Sequence, residues 1–246
     1  MLVIVAYLFM LAAFCGSTDV YAFGFAADDS GGGGGGGQKQ IHISNNCKDT
    51  VTVGVLTNGK SASSPEQSFD LTPGSSQTIS KSDKWGGRVW GRHDCSGNGN
   101  KGCGVPGANN PASLAEFFFK GMAGKDFYDI SLVDGYNLPM SINPEKGSSS
   151  NGKYSCGSPS CKVPQCPSDY AIKDSSGNVV GCQTTCSKDN TDESCCRGAH
   201  DDPNKCKPDS HSENLKKACP DAYSFAYDDQ TSTFECGVDK YEVKFC

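Results

Sequence analysis

The sequence predicts a mainly β protein, a β-sandwich core carrying a disulfide-rich loop lobe, and three observations lead there. Fourteen cysteines lie between Cys47 and Cys246, an even number that an oxidising compartment turns into a covalent framework. Val51, Val53 and Val55 alternate with Thr50, Thr52 and Gly54, the period-two pattern of a half-buried strand. The turn pairs Asn58-Gly59 and Pro73-Gly74 follow at sandwich-like spacing, and helix signals are nearly absent from the front half.

Taken in order, residues 2–13 form a short apolar run followed by small residues, with a cleavage point at Ala22. That pattern reads as a secretory signal over residues 1–22, and it removes Cys15. The run is shorter than the roughly 20 apolar residues of a membrane span, and no later segment approaches that length. A secreted, extracellular protein with no stable membrane anchor is expected. Residues 23–39 hold Asp28, Asp29, Ser30 and seven consecutive glycines at 31–37, a composition that reads as a flexible tail. The glycines do not resemble a phosphate loop, because no strand precedes them and no Lys-Ser/Thr follows.

Residues 40–246 form the folded domain. Beyond 51–55, strand candidates are 88–91, 114–119, 127–133 and 241–245. After Cys156 eight more cysteines follow up to Cys219, among Pro, Ser, Asp and Lys with few large apolar residues. Such a stretch depends on cross-links rather than a core of its own. A short amphipathic helix is predicted over 209–218, capped by Asp209 or Ser210 with Leu215 facing inward. The core therefore comprises 40–94, 112–160 and 219–246, with a small disulfide loop at 95–111 and the lobe at 161–218. A Cys47–Cys246 bond would clamp the first strand to the last, although spacing alone does not say which cysteines pair. Zinc is the competing use of Cys156-x4-Cys161-x4-Cys166 or Cys182-x3-Cys186; the signal segment and even total favour disulfides, and no metal is expected.

Net charge is −6, and about −5 once Asp19 leaves with the signal. An acidic surface argues against nucleic acid as a partner. No Asn-x-Ser/Thr sequon occurs, so no N-linked sugar is expected. The four histidines are scattered, without zinc-protease spacing, and no Gly-x-Ser-x-Gly elbow is present. No cofactor is expected, and the chain is expected to be a monomer.

Longer strings narrow the reading. Gly87-Arg88-Val89-Trp90-Gly91-Arg92, Leu114-Ala115-Glu116-Phe117 and Asp126-Phe127-Tyr128-Asp129-Ile130-Ser131-Leu132-Val133-Asp134-Gly135-Tyr136-Asn137-Leu138-Pro139-Met140 closely resemble the thaumatin-like, pathogenesis-related proteins. So do Ser194-Cys195-Cys196, Cys219-Pro220-Asp221-Ala222-Tyr223-Ser224 and Tyr227-Asp228-Asp229-Gln230-Thr231-Ser232-Thr233-Phe234, and the likeness runs from about Ile41 to Cys246. The resemblance implies a flattened antiparallel β-sandwich with a disulfide-rich lobe and an acidic cleft between them. It also implies the pairs Cys47–Cys246, Cys95–Cys103, Cys156–Cys236, Cys161–Cys219, Cys166–Cys182, Cys186–Cys195 and Cys196–Cys206. Larger plant members have sixteen cysteines. Here Gly104-Val105-Pro106-Gly107 runs straight towards Pro111 without the usual Thr-Gly-Asp-Cys-Gly-Gly string. One disulfide loop is therefore missing, and one rim of the cleft is expected to be lower.

The family's cleft residues fall on Arg88, Glu116, Asp129, Asp134 and Asp229, with none substituted. Clustered carboxylates raise one another's pKa and a nearby arginine lowers it, which supplies the proton donor and the carboxylate that glycosidic chemistry requires. Glu116 is the candidate acid and Asp134 its carboxylate partner; Arg88 and Asp129 set their charge states, and Asp229 binds sugar hydroxyls or steers ligands. Asp129 and Asp134 are five apart, so a straight strand would send them to opposite faces unless the chain turns between them. Ordinary ion pairing and loop capping stay open as the alternative for all of these carboxylates. Of the nearby aromatics, Phe117 and Trp90 are assigned to the core, while Tyr136, in a Gly-Tyr-Asn turn, is expected to offer a sugar-stacking platform. The resemblance implies a secreted antifungal defence protein binding β-1,3-glucan or another fungal cell-wall polysaccharide. The alternatives are a weak endo-β-1,3-glucanase using Glu116 and Asp134, or an inhibitor of secreted amylases or proteases.

Overall fold

A computed structural model describes residues 37–60, 64–93, 95, 103–145 and 152–246. The signal segment and almost all of the glycine-rich tail lie outside the described residues. Five strands form one sheet in the order β4 (Ser76–Ser82), β1 (Gln38–Asn45), β14 (Lys240–Phe245), β8 (Met140–Pro144), β9 (Ser160–Cys161). A larger sheet runs β12 (Ala222–Tyr223), β7 (Asp126–Ser131), β6 (Leu114–Phe118), β5 (Gly86–His93), β2 (Val51–Thr57), β3 (Gln67–Leu71), with β13 (Phe234–Cys236) also paired to β7. The pairings between these strands are antiparallel except for two, β1 with β14 and β12 with β7.

The valine alternation behaves as the period-two rule requires. Val51, Val53 and Val55 are wholly buried in one core with Ile41, Ile43, Tyr241 and Val243 of the other sheet. Trp85, Phe117, Phe119, Tyr128 and Tyr241 pack at centroid distances of 5.2 to 6.5 Å, an aromatic centre that dominates the buried area of such a core. Gly54 belongs to the opposite face, where a Cβ would stand 2.3 Å from the Trp90 ring. Trp90 there joins Leu56, Ala112 and Leu114 in a second, smaller buried cluster.

The folded region begins two residues before the expected boundary at 40, because β1 starts at Gln38. Lys39, assigned from composition to the tail, is only 7% exposed. Its Nζ lies 2.7 Å from Asp126 Oδ2, which also accepts from the Tyr241 hydroxyl at 2.7 Å. A buried ammonium persists when it is paired and hydrogen-bonded in this way.

Seven disulfides join the pairs that the resemblance implies. Cys47–Cys246 closes the parallel β1–β14 pair just beyond the Asn45–Phe245 rung. The lobe holds a hairpin of β10 (Ala171–Lys173) and β11 (Val179–Cys182) and the helices α1 (Thr185–Asp189) and α2 (Ser210–Ala218). Helix α2 forms where predicted: Asp209 caps it by accepting from Ser212 N at 2.7 Å, and Leu215 is 2% exposed. Asp209→Ala is expected to lose about 1 kcal/mol, a fall of about 2–4 °C in the thermal midpoint, readable by calorimetry.

Candidate functional site

Successive side chains of a strand face opposite ways, so Val89 enters the main core while Arg88 and Trp90 belong to the other face of the larger sheet. The antiparallel register then builds a charged rung on that face: Arg88 stands opposite Glu116, and Glu116 opposite Asp129. Directly opposed residues have Cβ atoms about 4.5–5.5 Å apart, which brings one guanidinium and two carboxyls together. Beside the rung lie Trp90 and Leu114, opposite each other one step along, so an apolar wall borders the charges.

Asp134 reaches the same place by a turn. Strand β7 ends at Ser131, and Gly135 N donates to Leu132 O at 3.0 Å. Gly135 has φ +107°, and a Cβ there would lie 2.3 Å from Pro111 Cβ and 2.5 Å from Cys182 O, so glycine is required for conformation and for space. The turn sets Asp134 Oδ2 3.7 Å from Arg88 Nη1. The turn thereby brings Asp134 to Arg88 and beside Glu116, while Asp129 stands across Glu116 from the guanidinium.

Asp229 arrives from the other edge. It opens α3 (Asp229–Ser232), and the Tyr223 hydroxyl donates to its Oδ1 at 2.9 Å. Tyr223 is placed by the parallel pairing of β12 with β7. Lys216 on α2 braces the segment, reaching Asp228 Oδ2 at 3.0 Å, Ala222 O at 3.1 Å and Ser232 Oγ at 2.8 Å. Asp229 thereby lies near enough to Asp129 to raise its pKa, which joins it to the charged rung on the β7 side.

Their electrostatics follow from burial. Loss of water pushes the Glu116 carboxyl up to about 7, with Arg88 opposing and Asp134 adding to the rise. Asp129, 6% exposed, is raised well above its ordinary value by burial and then by Glu116 and Asp229, and its Oδ1 has no hydrogen-bond partner among the described residues. Burial also raises Asp134, against the pull of Arg88. Asp229 is raised by burial although the Tyr223 hydrogen bond opposes it. The cluster therefore holds protons at mildly acidic pH that isolated carboxyls would release. A protonated carboxyl beside an arginine-paired carboxylate can donate to and accept from hydroxyl groups, and can act as an acid–base pair.

Tyr136 is corrected. The expected platform is 2% exposed and lies in the main core, its ring stacked 6.4 Å from His211. Tyr136 and Cys182 exchange backbone hydrogen bonds of 2.9 and 2.7 Å, which draws the residue under the lobe. The Gly-Tyr-Asn string reads as an exposed turn only while the covering lobe is left out. Phe117 and Trp90 are buried, as assigned. Sequence reading missed Lys216 and Tyr223, which hold the Asp229 segment, and Arg92 and Gln183 nearby. Only Arg92 carried a visible signal, an even spacing from Arg88 that puts both on one strand face.

Residues 45–246 match the Thaumatin family. The chain belongs to that family. Relatives include pathogenesis-related protein 5 of Arabidopsis thaliana, 44% identical over 219 residues that cover 83% of this chain and 88% of the relative. A protein of Prunus avium named glucan endo-1,3-beta-glucosidase is 38% identical over 84% of this chain and 89% of its own length. Among solved structures, a laminaripentaose-producing beta-1,3-glucanase in complex with laminaritetraose superposes with a TM-score of 0.56 at 13% identity, covering 84% of this chain and 98% of that one. That likeness concerns the fold. This thaumatin-family chain carries seven disulfides among its described residues.

Proposed function

We propose that this protein is secreted and binds β-1,3-glucan of fungal walls in an acidic cleft over the Arg88–Glu116–Asp129 rung, as an antifungal defence protein. The observation that carries the reading is the rung itself, with Asp134 turned back onto Arg88. It sets donors and acceptors side by side, the mixture that the hydroxyls of a pyranose present. The glucosidase name of the Prunus avium relative supports the choice of polymer.

Slow hydrolysis is the second reading, and it rests on the proton that Glu116 keeps up to about 7. Glu116 would protonate the departing glycosidic oxygen. Asp134, ionised beside Arg88, would take a proton from water or attack the anomeric carbon. Binding and hydrolysis are separated by a laminarin pull-down run beside a reducing-sugar assay on wild type, Glu116→Gln and Asp134→Asn. Each variant is expected to weaken laminarin binding about tenfold, the loss of one charge-assisted hydrogen bond, and to abolish any sugar release. Retention and release equal to wild type in both variants would overturn the cleft reading, and inhibition of secreted amylases or proteases would then survive the same substitutions.

A further inference from the structure

We propose that the 104–111 loop is a wall of the glucan site that selects for longer chains, and that Arg92 and Gln183 are the positioning residues that hold it there. This rests on the glucan-binding reading of the Arg88–Glu116–Asp129 rung. Sequence alone predicts a lowered rim at this point, because no cysteine pair braces the loop.

The structure contains a non-covalent substitute. Arg92, 3% exposed, sits on the same strand face as Arg88 and turns its guanidinium onto both stems of the loop. Its Nε donates to Gly104 O at 3.1 Å, Nη1 to Pro111 O at 2.9 Å and Nη2 to Asn110 O at 2.5 Å. The planar fork of an arginine can span three carbonyls in this way, which a lysine ammonium cannot reproduce. Burial lowers the Arg92 pKa only to about 10, so the clamp stays charged across the working range. Between the stems, Val105 packs on the Leu56–Trp90–Ala112–Leu114 cluster, and Gly107 and Asn110 exchange backbone hydrogen bonds.

The tip is pinned from the other side. Gln183, just after β11 in the lobe, donates Nε2 to Ala108 O at 2.8 Å. The loop thus spans from sheet to lobe, and a cavity between them is lined by Arg88, Asp134, Ala108, Ser187 and Asn190. Two of those residues are the ion pair of the site itself. A polymer lying along the charged rung and reaching past Asp134 meets this wall, whereas a short oligosaccharide held on the rung does not.

The test compares wild type, Gln183→Ala and Arg92→Lys by calorimetric titration with laminaritetraose and laminarihexaose, alongside amide hydrogen exchange. Gln183 is only partly buried, so its variant keeps the test valid if the buried Arg92→Lys does not fold. Gln183→Ala is expected to speed exchange at the Gly107 and Asn110 amides and to weaken hexaose binding about three- to tenfold, with tetraose binding changed less than twofold. A merely structural role would weaken both ligands alike, and that result overturns the proposal. Unchanged exchange overturns it as well. If wild type binds neither oligosaccharide, the glucan reading and the wall fall together; if wild type binds both and only the hexaose preference is untouched, the wall alone falls.

Discussion

Replacing Cys47 and Cys246 together by alanine is expected to lower the thermal midpoint by about 10–20 °C, the largest stability change of any single bridge in the molecule. The bond spans 199 residues, and the chain-entropy relation assigns a loop of that length about 5 kcal/mol. For a domain of this size each kcal/mol moves the midpoint by about 2–4 °C. Cys186–Cys195 closes a separation of only 9, for which the same relation gives about 2.5 kcal/mol. The native packing explains why the long bridge has no local substitute. The first and last strands lie parallel over the six rungs Gln40–Lys240 to Asn45–Phe245, a pairing that joins distant parts of the chain and gains nothing from a tight turn. Scanning calorimetry of the double variant, which leaves no free thiol at either position, checks this. A midpoint within 3 °C of wild type would mean that strand pairing alone holds the ends.

The same long-range pairing marks where the sequence stops being legible. Strands β2, β5, β6, β7 and β14 are readable because their apolar residues alternate or run in bulky blocks, and α2 because Asp209 and Leu215 stand at cap and core spacing. Strand β1 is hidden by Lys39: a cation at an inward position contradicts the alternation unless its partner Asp126, 87 residues away, is known. Strand β4, Ser-Gln-Thr-Ile-Ser-Lys-Ser, is an edge strand with only Ile79 and Lys81 buried, so hydrophobicity cannot reveal it. The two-residue strands β9 and β12 have no local signal and exist through their neighbours.

The site divides in the same way. Its five charged residues come to notice through family strings rather than through any local rule, and spacing alone would have separated Asp129 from Asp134. What gathers them is cross-strand register and the Gly135 turn, neither of which is written in one segment. Tyr136 misleads for the complementary reason: its own neighbourhood reads as an exposed turn, while the lobe residues Cys182 and His211 that cover it lie more than forty residues downstream.

Glu116→Gln is expected to weaken laminarin binding about tenfold and yet stabilise the protein at neutral pH, by about 1–3 kcal/mol at pH 7.5 and by almost nothing at pH 4. Burial first, with Asp134 adding and Arg88 opposing, lifts the folded-state pKa of Glu116 from 4.5 to about 7. Between those values the folded protein binds more protons than the unfolded chain, so stability falls as pH rises. The contribution is complete below about 4.5, is lost through the window from 4.5 to 7, and is constant above it. Each unit is worth about 1.4 kcal/mol, and the partial solvent access of Glu116 brings the full shift down to the stated range. Asp129, Asp134 and Asp229 are raised as well and slope the same way. Asp83 and Asp174 slope oppositely: hydrogen bonds from Lys120 to the first and from Asn178 to the second hold them below their ordinary values, so their share is lost as pH falls below about 4. Maximum stability therefore belongs near pH 4–5, unlike proteins whose carboxylates are all ion-paired. Glutamine keeps the shape of Glu116 without the charge that the buried site disfavours, so denaturant midpoints of wild type and variant should coincide at pH 4 and diverge towards pH 7.5. Parallel curves across that range would show that Glu116 ionises as freely in the folded protein as in the unfolded chain, and would remove both the acid of the proposed hydrolysis and the electrostatic reason for the site.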